Sequence, residues 1–550
     1  MRFRVLAAIA AIALPLPALA SGVIDNVNGI AIDANGRVVR FAAMTIDDEG
    51  KVERLLPGRY QEPARPRKLK KGESWAKGPD FKLDAGGKTL IPGLIDSHGH
   101  VMRLGLAQIT LDLSGTRSLA EAQAKIRDYV AANPGRKWII GTGWDQDRWG
   151  LGRLPTAADL DAAASDVPVW LTSADGHAGW ANSLAMKAAN ISAATKAPPG
   201  GRVEMAGGKP AGLFVDKAMD LIQRIVPPPA PKDRDIALEK AQQLLLANGV
   251  TGIADMGTGL EDWQAFRRSA DRGALRVRII AYADGIDDMV LIAGPEPTPW
   301  LYDDHLRMGG LNLVLDGSLG TRGAWLKADY ADAPGQRGLS LIPSTQLRNI
   351  MSRAAMDNFQ IAVDAVGDAA NSEVLDAITE LGETYKGDRR WRIEQASFAA
   401  PADLPRFGQN GVVASMQPAQ QLAGGRAAMA RLGEARGAGA YAWKAMIDHR
   451  VPLAFGSGAP ADSVSPFAGM GAAMGREDQR VAFEGALDGY TRQAAFAGFA
   501  DKRFGSLVPG QRADFILIDR DISTARPADI AATQVLETWI GGKRVYMKGR

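Results

Sequence analysis

Apolar positions along this chain follow two different rhythms. From Gly22 to about Leu90 they form short alternating runs broken by turn residues. GIAIDANGRVV turns at Asn35-Gly36 and MTIDDEGKVERLL at Glu49-Gly50. Alternating runs on either side of such a dipeptide predict β-hairpins. The far C-terminus has the same character, with ADFILIDRD followed by VLETWIGGKRVY, which turns at Gly541-Gly542. Short strands at both ends, with something larger between, predict one composite β-sandwich-like domain built from residues 21–90 and 505–550.

The middle of the chain alternates on a longer period. Apolar β-rich runs end in polar or glycine-rich residues, and amphipathic helical stretches follow. The clearest runs are TLIPGLIDSHGH (89–100), GVTGIADMG (249–257), LNLVLDGS (311–318), FQIAVDAVGD (359–368), WRIEQAS (391–397), GVVASMQP (411–418) and VPLAFGSGAP (451–460). IALEKAQQLLLANG and NSEVLDAITELG read as helices between them. Regular β-then-α alternation predicts a parallel sheet. About eight such units predict an α/β fold of the (β/α)8 TIM-barrel type over residues 91–504. A doubly wound sheet is the alternative. No glycine-rich phosphate fingerprint follows the first strand, which argues against its nucleotide-binding form. Residues 104–245 hold two further β-like runs, KWIIGTGWD and VPVWLTSADGH, and turn-rich stretches such as APPGGRVEMAGGKP. We read this segment as barrel units carrying a cap over the site.

Composition changes this picture little. At 550 residues the chain is long enough for a large barrel and a satellite domain. A net charge of +3, with no long run of like charge, points to neither nucleic acid nor a membrane surface as a partner. The basic cluster from Arg65 to Lys71 is broken by Pro66 and reads as a solvated loop. The absence of cysteine excludes disulfides, so any metal must be held by His, Asp, Glu, a modified Lys or backbone oxygens. Residues 1–20 carry Arg2 and Arg4, an apolar core from Val5 to Leu14, and Ala18-Leu19-Ala20. This arrangement predicts a secretory signal peptide cleaved after Ala20, hence a periplasmic or secreted protein with no membrane span after cleavage.

Candidate chemistry starts at LIDSHGH. The chain has only five histidines, and His98 and His100 fall two apart on one strand. Both side chains therefore share a face and could reach one ion. His305 and His449 flank predicted strands away from that end and read as structural. The context is more specific than the pair. PGLIDSHGHV, ADGHAGWANS, GVTGIADMG, LDGSLGTRGA, APGQRGL, GYTRQAAFAGFA and GSLVPGQRADFILIDRD together resemble the metal-dependent amidohydrolase superfamily, most closely its exported YtcJ-like branch. The resemblance covers nearly the whole mature chain. It implies a barrel with a two-ended β-domain, a divalent metal cofactor (zinc in much of the family), and hydrolysis of non-peptide C–N bonds in small amide-like substrates. It also implies that homodimers are usual.

Position by position, the resemblance implies an incomplete centre. His98 and His100 match the first-strand metal ligands. Asn312 stands at the lysine position of the middle strand, Asp364 and Gln395 at the two following histidines, and Gly458 at the aspartate that serves as general base. Gln420 stands where relatives often carry histidine, and Ser173 where many carry arginine before DGH. Asn cannot form a bridging carbamate, Gln is a weak ligand beside imidazole, and Gly458 cannot take a proton. The resulting expectation is a degenerate active site with hydrolysis lost or greatly reduced. One alternative is a working mononuclear hydrolase on His98, His100 and Asp364, with Asp462 as replacement base. Another is a non-catalytic ligand-binding or scaffold protein. Asp364 is equally readable as a hydrogen-bonded carboxylate left in an old site. His177, Asp316 and Arg322 are the candidate substrate-binding residues. Their plainer readings are a loop histidine with a structural bond, and a structural ion pair between neighbouring loops.

Overall fold

The computed structural model describes residues 21–62 and 78–549, so the expected signal peptide and the Arg65–Lys71 cluster lie outside the described residues. Eight parallel strands form the central sheet: β1 (Leu94–Gly99), β2 (Val250–Thr258), β3 (Arg278–Asp284), β4 (Leu306–Val314), β5 (Gln360–Ala365), β6 (Arg392–Gln395), β7 (Val413–Met416) and β8 (Leu453–Phe455). Each pairs with the next in chain order. The seam between β8 and β1 is joined just past the strand ends. The Gly458 N–H donates to the His98 carbonyl at 2.8 Å, and the His100 N–H to the Ala459 carbonyl at 3.0 Å. Asp96 reinforces the seam by accepting from the backbone N–H groups of His98 and Ser457, at 3.1 and 2.8 Å, and from the Ser457 hydroxyl.

Seven of these strands coincide with the apolar runs read from sequence. The other, β3, has a less obvious pattern because Arg276 precedes it and Arg278 opens it. Arg278 is nonetheless buried, with Nε 2.6 Å from Asp514 of the C-terminal segment. Helices Pro231–Ala247 and Asp368–Gly382 contain the two helical stretches recognised by their period. At the N-terminal end of the barrel, Ile95, Ala254, Ile280, Tyr282, Ala362, Val413 and Ala454 pack with Phe504 into a closed apolar layer. This architecture places its chemistry at the opposite, C-terminal strand ends.

Two other sheets flank the barrel. One has eight strands, and its main path runs Lys543–Met547, Val535–Ile540, Phe515–Ile518, Thr89–Pro92, Gly22–Ile32, Val38–Ile46, Val52–Leu56, with Phe81–Asp84 paired to Gly22–Ile32. Gly36, Gly50, Gly541 and Gly542 take positive φ at its hairpin turns, as such tight reversals require. The sheet curls so that Phe81 stacks on Trp539 from the opposite half, with ring centroids 5.8 Å apart, which gives it a sandwich-like core.

The other sheet corrects an expectation. KWIIGTGWD and VPVWLTSADGH are not barrel units. They supply Ile139–Trp144 and Val169–Ser173 to a separate six-stranded sheet spanning Leu111 to Asp216. Trp144, Trp149 and Trp180 form its own core with Leu171 and Leu213, so the segment folds as a cap rather than extending the barrel.

Candidate functional site

The C-terminal ends of β1, β4, β5 and β6 and the loop after β8 converge under the cap. His98 is 1% exposed on β1. Its Nδ1 lies 2.8 Å from Glu394 Oε2 on β6. Glu394 is itself buried, and burial alone would raise its pKa, but the Arg392 guanidinium at 2.6 Å and His98 hold it below the ordinary value. An ionised carboxylate can only accept, so Nδ1 of His98 carries the proton and Nε2 faces the strand ends. His100 is fixed in the same way. Its Nδ1 donates to the Met256 carbonyl at 2.6 Å. Burial, with Arg103 and His98 nearby, pushes its pKa well below the usual imidazole value. The ring is therefore neutral, with an unprotonated Nε2. The two rings meet edge to face, 5.4 Å between centroids.

Asp364 on β5 completes this group. Its Oδ1 lies 3.8 Å from His98 Nε2 and is buried without a hydrogen-bond partner. Its Oδ2 accepts from Asn312 Nδ2 at 2.8 Å. Burial raises the Asp364 pKa despite His98. Burial also disfavours charge on His98, but Asp364 and Glu394 together lift its pKa.

The ends of β4 and β6 and the loop after β8 carry no ligating group of comparable strength. Gln395 and Ala396 adopt φ of 69° and 42°, a left-handed conformation that costs non-glycine residues energy. Gly458 also has positive φ, 71°, and a Cβ built there would lie 3.0 Å from Gln420 Nε2. Gln395, Gln420 and Gly458 line a cavity of about 180 Å³ with His98, His100 and His177.

The cap and the loop after β4 form the opposite wall. His177 Nδ1 is 2.8 Å from Asp216. Burial opposes a charge on this ring, but the hydrogen bond and charge of Asp216, with Asp175 and Asp316 behind, raise its pKa to about 9. It stands as an imidazolium on the cavity wall. Asp462 also lines the cavity, and burial pushes its carboxyl up to about 6. Neither Asp316 nor Arg322 lines the cavity. Asp316 is fully buried and accepts backbone N–H bonds from Trp325, Val366 and Gly367, at 2.8, 2.8 and 2.9 Å. It ties the loop after β4 to the end of β5. Arg322 pairs with Asp332 at 2.8 Å, not with Asp316. Its neighbours Ser318 to Thr321 provide the cavity lining instead.

Two residues here were not singled out from sequence. Glu394 sits inside the RIEQAS run. Two charged residues spaced i, i+2 on a central barrel strand were the available signal, because they share an inward face. Arg103, three residues past His100, lines the cavity, and nothing in its local pattern marked it.

As a metal site the donor set fits poorly. The imidazole Nε2 atoms and the orphaned Asp364 oxygen are suitable donors, and the Glu394 and Met256 contacts are the kind that orient metal-bound histidines. Yet among the described residues no group of three or more His, Cys, Asp or Glu side chains is placed to hold an ion. The positions that would add ligands hold Asn312, already bonded to Asp364, neutral Gln395 and bare Gly458.

Comparison with known proteins agrees with the fold. A family model described as "Amidohydrolase family" matches residues 83–546. The protein LONG AFTER FAR-RED 3 of Arabidopsis thaliana is 34% identical over 494 residues, 85% of this chain and 84% of its own. A Bacillus subtilis (strain 168) protein named "Putative amidohydrolase YtcJ" is 29% identical over 490 residues, 85% of this chain and 90% of its own. Among solved structures, an uncharacterised metal-dependent hydrolase from Pyrococcus horikoshii superposes with a TM-score of 0.72 at 24% identity, covering 92% of this chain and 99% of that one.

Proposed function

The chain belongs to the amidohydrolase family, in its YtcJ-like branch, and from that premise we propose that it keeps the family's cavity for small amide-like molecules while having lost all or most of the hydrolytic chemistry. Metal-dependent hydrolysis of such molecules is the activity the family and its relatives support. The observation that carries the loss is the donor set: no three ligating side chains are assembled among the described residues, and the glycine after β8 has nothing with which to accept a proton. General acid–base assistance contributes about 10²–10⁴-fold in rate, so its absence alone would reduce turnover severely.

A second reading rests on one feature. The orphaned Asp364 oxygen 3.8 Å from His98 Nε2 favours a weak mononuclear site with His100, and Asp462 as the base. One experiment separates the two. The chain is purified with zinc supplied, dialysed, and analysed for metal per chain. It is then assayed on small acylated amines and acylated amino acids with and without chelator. We expect metal well below one ion per chain and no chelator-sensitive turnover. A tightly held ion with robust, chelator-sensitive hydrolysis would replace the first reading with the second.

Export through the 1–20 leader is part of the proposal. Mass spectrometry of the mature protein should find Ser21 as its first residue, and a mature chain that retains Met1 would remove that part.

A further inference from the structure

The charged groups around the cavity are nearly all committed to partners. Asp147 pairs with Arg431 at 3.2 Å, and Asp145 faces Arg148 at 3.5 Å while capping the N–H groups of Asp147 and Arg148. Asp175 accepts from the hydroxyls of Ser173 and Ser318, both at 2.5 Å, and from the His177 N–H at 3.1 Å. Two groups differ. Arg103 makes no hydrogen bond or ion pair with any described residue; Asp175, Asp364 and Asp284 act on it only at longer range. Asp462 likewise has no hydrogen-bonded or ion-paired partner among the described residues.

Their placement gives these two charges a use. Arg103 projects from the helix Val101–Ala107, which starts directly after His100. Its guanidinium lies against the turn that carries His177. A Cβ at Gly176 would sit 2.2 Å from Arg103 Nη2, so the guanidinium packs directly on this glycine. The His177 imidazolium is the next residue. Arg103 is accessible, but through the cavity: enough protein surrounds it that lost hydration lowers its pKa. A guanidinium offers five N–H donors in a planar fork that matches a carboxylate. Asp462 lies in the loop after β8 beside Tyr441 and lines the same cavity from a different element. A cavity of this size holds a ligand somewhat larger than benzene, for which ~150 Å³ suffices.

We propose that the cavity selects a small molecule with a carboxylate at one end and an ammonium group at the other, Arg103 receiving the carboxylate and Asp462 the ammonium. This rests on the reading above that the cavity takes a small ligand, and it adds the charge pattern of that ligand. It requires no metal and no bond-breaking step.

The test is calorimetric titration of the chelator-treated full chain with three probes: glycylglycine, its C-terminal amide, and its N-acetyl form. Glycylglycine should bind, and each modified probe should bind about 10- to 100-fold more weakly, the scale of one charge-assisted hydrogen bond. Arg103→Gln should erase the preference for the free acid over the amide and leave the N-terminal preference in place. Asp462→Asn should do the reverse. Equal binding of all three probes, or no binding by any, overturns the proposal without reference to a variant. A preference that survives Arg103→Gln overturns the assignment of that residue. The metal content and turnover measured above judge the damaged-centre reading separately, because binding here is read on metal-free protein.

Discussion

The two sides of the strand-end floor make an instructive contrast. At the end of β1, His98 is buried and His100 half-buried, the two held at Nδ1 by Glu394 and the Met256 carbonyl, and Asp96 anchors this strand end to the loop after β8. By contrast, Asn312 on β4, Gln395 on β6 and Gly458 in the loop after β8 occupy a framework that keeps its register but present weak or absent donors. The groups that remain also hold the barrel together. Glu394 neutralises the buried Arg392, which in turn bonds the Ser97 carbonyl and the Tyr282 hydroxyl. On the proposed reading, the groups exchanged at Asn312, Gln395 and Gly458 would have served only a bound ion and a water. A cavity-facing side chain with no structural duty can be exchanged at little cost in stability, whereas one that neutralises a buried charge cannot.

The sharpest way to break this contrast is to rebuild the weak side. Asn312→Lys, Asp364→His, Gln395→His and Gly458→Asp together should yield chelator-sensitive hydrolysis of acylated amines at least about 10²–10⁴-fold above any single variant, because these groups act as a unit. Position 458 already has the left-handed backbone that aspartate tolerates better than most residues, and Gln420 would have to yield. Comparable activity in one single variant would mean that a working centre already exists. On the strong side, Glu394→Ala should cost about 3–5 kcal/mol in denaturant unfolding by leaving Arg392 buried and unpaired. Gln395→Ala, one residue along, should change stability by no more than about 1 kcal/mol. Similar losses for the two would remove the distinction drawn here.

The smallest effect concerns pH. The Asp462 carboxyl is raised by burial from the ordinary 3.8 to about 6, so the folded state holds this proton more tightly than the unfolded chain does. Its contribution to stability is then complete below the unfolded value and fades as pH rises through about 6. The melting-temperature advantage of the parent over Asp462→Asn should shrink across that interval. An advantage that stays flat would mean that Asp462 is more hydrated than its surroundings suggest.

Much of this was legible in the residues. The β-then-α alternation located seven barrel strands, and LIDSHGH placed both histidines at a strand end because that spacing fixes a shared face. The expectation at Asn312, Gln395 and Gly458 came from flanking runs that resemble the family's. Other features depend on distance, which spacing does not encode. β3 was obscured by Arg276 just before it and by Arg278, whose burial depends on a carboxylate from the other end of the chain. The cap strands carry the same apolar signature as barrel strands, and only their pairing with one another tells them apart. Asp316 and Arg322 belong to the segment that lines the cavity, but their side chains point into loop contacts. Arg103 became conspicuous only through having no partner.

The sheet made from both ends of the chain has a consequence for synthesis. Its central pairing, Pro92 to Phe515, joins residues more than four hundred positions apart. At about 5–20 residues per second, the first partner emerges from the ribosome roughly 20–80 s before the second. During that interval Thr89–Pro92, buried along its whole length in the finished protein, has an exposed edge of the kind that recruits strands from other molecules. The barrel is the loop that this late pairing closes, so the slow, non-local step of folding falls at the end of translation, with the newborn chain's vulnerability concentrated on that one strand.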